Sequence, residues 1–230
     1  MQGVTGATSI EHVLYVLGVV RPIPAHRRRC RYTGAMQTEY PAGADDFLTI
    51  LAARRNYTLR RLVAPGPDDA ALLRIVEAGA QAPDHGLLRP WRFILIPRHR
   101  RHLLGDVFAA AVLARDPACG DEALATAHDK ALRAPCLLVA VLRDEPGTII
   151  PTHEKLVSLG CAIQNMLVAA QLLGFASGLA SGAAMDFAGM RSLLGLEAHE
   201  RAICFIGLGT ASTVKAPRAR PDATQFLSSL

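Results

Sequence analysis

Three stretches of this sequence gather side chains able to bind a charged or planar ligand. The first is Arg54-Arg55-Asn56. Guanidinium groups hold phosphate oxygens in pairs, and a carboxamide adds a neutral donor. The plain alternative is the last turn of a helix, where arginines complement the negative end of the dipole. The second is residues 81–93, Gln-Ala-Pro-Asp-His-Gly-Leu-Leu-Arg-Pro-Trp-Arg-Phe. Pro83 should end a helix, Gly86 loosen the turn and Pro90 force an extended entry into the next strand, so that His85 and Arg89 stand on a rigid loop. Read plainly, Trp91 is a core plug and Asp84-His85 a local hydrogen-bonded turn. The third is the series Gly174, Gly178 and Gly182 around Ser177 and Ser181. Glycine there would let backbone approach a flat ligand or a phosphate, or let the preceding helix pack tightly on a strand.

Other groupings carry less. His99, His102 and Asp106 share one helical face but sit among Arg98, Arg100 and Arg101, which predicts a solvated basic face and no metal site. His153-Glu154 opens a helix and needs no function. The five cysteines, Cys30, Cys119, Cys136, Cys161 and Cys204, are scattered and never form CxxC, which argues against a disulfide framework or zinc. No GxGxxG, GxSxG, HExxH or P-loop occurs, so a Rossmann dinucleotide site has little support. The net charge of +5 is uneven: the first 35 residues carry +4 and the rest only +1. A basic leader, not a basic face, sets the pI, which speaks against nucleic acid as a partner. VLYVLGVV is too short to cross a bilayer and no other apolar stretch is both long and uninterrupted. The expectation is a cytoplasmic protein that meets no membrane.

These groups need elements to position them. Residues 1–41 read as an irregular basic leader, with translation expected to start at Met36, and residues 42–230 as the folded domain. DDFLTILAARRN predicts a helix ending in Arg54 and Arg55, and PDDAALLRIVEAGAQAP one that starts at Asp68 and stops at Pro83. WRFILIP predicts a strand, RRHLLGDVFAAAVLAR and DEALATAHDKALRAP two helices, and CLLVAVLRD a buried strand. THEKLVSLGCAIQNMLVAAQLLGF predicts a long helix capped by Thr152. A short helix near 186–195, the strand RAICFIGLG and an irregular C-terminal arm complete the chain. The long helix is apolar around most of its circumference and should be buried on every side, by neighbours or by a second subunit. The class is α+β: helices around a modest sheet, as a homodimer.

The order of the pieces is more specific than any one of them. RRN after the first helix, APDH and RPWRF after the second, LGCAIQNM on a long helix, and ASG with LGT beyond it resemble the nitroreductase family of flavoproteins, in particular its small, minimal subgroup. The resemblance covers residues 44–230. It implies an α+β homodimer around a mainly antiparallel sheet, with FMN at the subunit interface and NADH or NADPH as hydride donor. Nitroaromatics, quinones or similar acceptors would be reduced in a ping-pong cycle with no catalytic side chain. On that resemblance Arg54, Arg55 and Asn56 match a phosphate- and ribityl-binding triplet, Gln81 and His85 two further flavin contacts, and Leu179, Ala180 and Ser181 a third segment. Trp91 would anchor the loop that sets His85 against the partner's flavin, and Lys215 and Arg218 would assist at the phosphate. Asn56 stands where the subgroup has Ser, Gln81 where it has Arg, Arg89 where it has Gln, and Leu179-Ala180 where it has Trp-Arg. Two cations and an aromatic are therefore missing. Two other readings stay open: a flavin storage or flavin-degrading protein of the same fold, and a nucleic-acid or partner-binding module using the leader.

Overall fold

The computed structural model describes residues 43–216 and 218–228. The expected leader, with Met36 and Cys30, lies outside the described residues. The elements are α1 (Ala44–Ala53), β1 (Leu62–Val63), α2 (Asp69–Gly79), β2 (Trp91–Leu95), α3 (Arg101–Arg115), α4 (Asp121–Asp129), β3 (Cys136–Arg143), α5 (Thr152–Leu172), β4 (Ala176–Ala180), α6 (Ala188–Leu194) and β5 (Glu200–Ala211). The five strands form one sheet in the order β1-β5-β3-β2, with β4 also paired to β5, and every pairing between strands is antiparallel. The α+β expectation describes this arrangement.

The sheet forms around β3 because CLLVAVL is apolar at consecutive positions, as a strand covered on both faces requires. Every residue from Cys136 to Leu142 is buried. Successive side chains point to opposite faces. Leu138, Ala140 and Leu142 therefore pack with Ile75, Leu159 and Met166 on one side, and Leu137, Val139 and Val141 with Leu104, Met190 and Phe205 on the other. α2 starts as its sequence predicts, with the Asp68 carboxylate accepting from the amide of Ala71 at 2.8 Å. It ends at Gly79, before Pro83, and Gly79 lies so close to α5 that a Cβ would stand 3.0 Å from Met166 Cγ.

Helix α5 departs from expectation at its start. Thr152 does not cap it: Pro151 precedes the first turn, and the Thr152 hydroxyl donates to Asp144 Oδ2 at 2.6 Å. Buried Lys155 reaches the other oxygen of Asp144 at 2.5 Å. Lys155 and then Thr152 hold the Asp144 carboxyl below its usual range. Within one chain the neighbours bury only part of the helix, the first of the two routes expected for it. Leu159, Ala162, Ile163 and Met166 enter the core, whereas Leu156 is 41% and Val157 65% exposed, with Gly160 and Gln164 on the same open side. By length and composition α5 could cross a bilayer, contrary to the sequence expectation, but half of its apolar window is buried inside the fold.

The basic stretch before α3 is not wholly solvated either. Arg101 is 2% exposed and donates to the carbonyls of Ile96, Ala131 and Arg133. It thereby ties the start of α3 to the turn after α4. His99, His102 and Asp106 do not converge: Asp106 faces His128 at 3.6 Å, and no metal-ligating group of three or more occurs among the described residues.

Candidate functional site

The Arg54-Arg55-Asn56 segment lies outside α1. The helix stops at Ala53, and Arg54 is extended at φ −58°, ψ 131°, its amide still donating to Ile50 and Leu51. This corrects the expectation of arginines in a last helical turn. What pulls the chain straight is β4: Asn56 bridges to Ser177, the Tyr57 amide donates to the Ser177 carbonyl at 2.9 Å, and Asn56 Oδ1 accepts from the Leu179 amide at 2.9 Å. Gly178 makes this crossing possible. A Cβ on it would stand 1.7 Å from the Tyr57 carbonyl oxygen. Its absent side chain is filled by the protein's own backbone, not left open for a ligand.

The C-terminal arm returns to the same segment. Lys215 Nζ donates to the Asn56 carbonyl and stands 5.0 Å over the Tyr57 ring, and Arg220 donates to the Arg54 carbonyl at 3.0 Å. Arg54, Arg55, Lys215 and Arg220 thus converge, and among the described residues none of the four forms an ion pair with a carboxylate. Burial, then the nearby charges of Arg220 and Arg55, push the Arg54 pKa down. Arg55 spends Nη1 on the Ala52 and Arg54 carbonyls, while its Nε is buried without a partner. Crowded cations with an orphaned buried donor are the electrostatics of an anion site. Arg220 was not foreseen. Arg218, expected to assist, is exposed and makes no hydrogen bond or ion pair among the described residues.

His85 belongs to a different place. Its loop is tied at two points: Asp84 Oδ2 accepts from the Arg89 amide at 2.7 Å, and the Ser158 hydroxyl donates to the Pro83 carbonyl. Trp91 opens β2 half-buried against the core, as the plug reading had it. His85 Nδ1 lies 2.7 Å from Glu154 Oε2, so Glu154, passed over as a helix-start residue, positions the imidazole. The signal was present only as a carboxylate in the first turn of the long helix. Gln81 is exposed nearby in sequence and makes no side-chain hydrogen bond among the described residues.

Two of the predicted clusters are therefore far apart. His85 contacts the first turn of α5, at Glu154. The arginine segment adjoins the other end, where the Gln171 carboxamide donates to the Ile50 carbonyl at 2.9 Å. At 1.5 Å per residue, α5 separates these anchors by roughly 25 Å. Leu179 stays with the arginine segment through Asn56, and Leu179, Ala180 and Ser181 line a cavity of about 480 Å³ beneath α3 and α4 that includes neither Arg54 nor Arg55. Within one chain the geometry joins Arg54, Arg55 and Asn56 to Leu179, sets Ala180 and Ser181 on the cavity beside them, and leaves His85 and Gln81 out.

Comparison with known proteins bears on this arrangement. The model of the "Nitroreductase family" matches residues 52–210. A curated protein of Haemophilus influenzae, "Putative NAD(P)H nitroreductase", is 34% identical over 166 residues, covering 72% of this chain and 88% of its own. The crystal structure of a nitroreductase-like family protein from Bacillus cereus superposes with a TM-score of 0.68 at 19% identity, over 85% of this chain and 99% of that one. A nitroreductase with bound FMN from Desulfitobacterium hafniense gives a TM-score of 0.56 at 24% identity, over 80% of this chain and 98% of that one.

Proposed function

The chain belongs to the nitroreductase family, and from that membership we propose that it is an FMN-dependent NAD(P)H oxidoreductase acting on nitroaromatic, quinone or similar acceptors. The observation that carries the cofactor is the cluster of Arg54, Arg55, Lys215 and Arg220. A dianionic phosphate would give the orphaned Arg55 Nε an acceptor and would offset the burial, and then the Arg220 and Arg55 charges, that lower the Arg54 pKa. The relatives' NAD(P)H names and the FMN-bound fold neighbour support the same cofactor pair. When bound, FMN would supply the hydride-transfer chemistry between NADH or NADPH and the acceptor, in a ping-pong order.

The protein's part is binding and orientation. Arg54 and Arg55 would hold the phosphate end, and the Asn56 carboxamide, fixed by the Leu179 amide, would serve the ribityl chain. Leu179, Ala180 and Ser181 would be the segment nearest the ring. Completion of the site requires a second subunit. His85 sits roughly 25 Å along α5 from its own arginine cluster, so an antiparallel pairing of two α5 helices would bring one chain's His85 and Gln81 to its partner's cluster. The open side of α5, with Leu156 and Val157, supplies the apolar face for that pairing. The four described cysteines are all free, in keeping with a cytoplasmic location.

The test is the visible spectrum of protein purified from its native gene, followed by anaerobic addition of NADPH and NADH. A flavin band that bleaches with either is the expected result; a flavin band that neither bleaches supports a flavin storage or flavin-degrading role, which the missing cations at Gln81 and Ala180 make the second reading. Colourless protein that gains no band from added FMN overturns both. Arg54→Ala removes one charge-assisted contact of about 1.5–3 kcal/mol and should weaken FMN binding roughly tenfold to a hundredfold. An unchanged flavin stoichiometry on dialysis removes Arg54 from the site.

A further inference from the structure

The cavity beneath α3 and α4 is lined with two kinds of side chain that the flavin site does not use. Its walls are apolar: Phe108, Val112, Leu137 and Met185, with the ring of Phe205 edge-on to Phe108 at 5.7 Å between centroids. Three cations also border it, Arg115, Lys130 and Arg133, of which the first two are exposed and the third half-buried. Among the described residues none of the three forms an ion pair with a carboxylate. Two nearby carboxylates are engaged elsewhere: Asp129 faces His128 at 4.0 Å, and Asp106, on α3, faces the same imidazole at 3.6 Å.

The turn that carries two of these cations is tied down by a buried side chain. Buried Arg101 donates to the carbonyls of Ala131 and Arg133, fixing the turn on which Lys130 and Arg133 stand. The cavity of about 480 Å³ falls in the range of small-molecule sites, which combine apolar walls with a few convergent polar groups. One wall is the Leu179–Ser181 segment that the proposed flavin site also uses, so an occupant would lie against that segment.

We propose that this cavity is a subsite for an aromatic carboxylate, its ring between Phe108 and Met185 and its carboxylate at Lys130 and Arg133, and that it biases the enzyme towards anionic aromatic acceptors. The assignment of the occupant as an acceptor rests on the oxidoreductase reading above; the anion subsite itself does not. Charge-assisted contacts at the mouth favour the anion, while the apolar walls take the ring. A neutral ring of the same shape gains only the second part.

The probe is 2-naphthoate, titrated calorimetrically into the oxidised protein beside neutral 2-naphthylmethanol, and repeated with a Lys130→Gln/Arg133→Gln variant. Lys130 is exposed, Arg133 is only partly buried and neither belongs to a core cluster, so the substitutions leave the core intact. The expected result is naphthoate bound about tenfold more tightly than the alcohol, ~1.4 kcal/mol, with the preference falling to within about twofold in the variant. A parallel comparison of KM for 4-nitrobenzoate and 4-nitrobenzyl alcohol should show the same preference and the same loss, with kcat for the alcohol unchanged. Equal binding of acid and alcohol, or a preference that survives in the variant, overturns the subsite whether or not the protein carries flavin. Naphthoate preference in a protein that carries no flavin and reduces nothing overturns the acceptor role and leaves an anion site.

Discussion

A buried carboxylate shows how strongly single residues are committed in this fold. Glu200 is 3% exposed and accepts both Nε and Nη2 of Arg92 at 2.6 Å, with Arg143 Nε at 3.4 Å and the Glu197 amide at 3.2 Å. Arg92's hydrogen bonds are the largest cause, and they outweigh burial to hold the Glu200 carboxyl down at about 2. A carboxyl whose pKa is lower folded than unfolded contributes stability above its unfolded value of 4.5 and loses it as pH falls towards 2. Removing the anion also strands Arg92, so Glu200→Gln should cost about 2–3 kcal/mol at pH 7. Urea denaturation of the two proteins should therefore diverge at pH 7 and converge between pH 5 and about 2. A gap that does not change over that window would mean that ionisation contributes nothing. By contrast the Arg54 cluster has the opposite electrostatics: among the described residues its cations have no carboxylate partner, the feature on which the proposed phosphate site rests. None of this pairing was legible in the sequence, because Arg92 and Glu200 are 108 positions apart and meet only through the β2–β3–β5 register.

At the scale of elements, the parts read correctly from sequence are those dictated by local pattern. CLLVAVL can only be a strand covered on both faces, and Asp68 with its following apolar period can only open a helix. The parts misread are those where a distant element overrides local preference. Local signals carry the first helix through Arg54 and Arg55, but the antiparallel sheet places β4 beside the chain at Asn56 and Tyr57, and the hydrogen bonds to Ser177 and Leu179 draw those residues straight. The same override explains why the sequence left the glycines open between ligand approach and tight packing. Gly178 is required by backbone crossing at 1.7 Å, and only the assembled pair of elements reveals it. Gly178→Ala should force β4 and the Asn56–Tyr57 segment apart, costing about 3 kcal/mol or more and loosening the arginine cluster with it. Gly120→Ala, where a Cβ meets nothing within 4 Å, should cost at most about 1 kcal/mol. Equal stability of the two variants by thermal denaturation would mean that the crossing yields without cost.

The whole molecule poses a question that neither residues nor elements answer alone: why does a chain this size leave so much apolar surface on its longest helix and on the helix that packs beside it? Every residue of α1 is at least partly accessible, with Phe47 51% and Leu48 60% exposed, and α5 presents Leu156, Val157 and Leu172. Apolar stripes of this kind on neighbouring helices mark an interface. The same helix keeps His85 and the arginine cluster at its two ends, so on the proposed function a second copy arranged head to tail along α5 answers both the apolar face and the divided site. On that reading assembly and cofactor binding are a single property. Val157 is 65% exposed and takes no part in the core, so Val157→Arg should leave the fold of each chain intact by circular dichroism while placing a charge in the pairing face. Sedimentation should then report a monomer, and flavin content should fall by at least about tenfold together with reductase activity. A monomer that keeps its flavin would show that one chain completes the site and that His85 acts elsewhere. A dimer that persists with full flavin would move the interface off this face of α5, and with it the reason for its exposed leucine and valine.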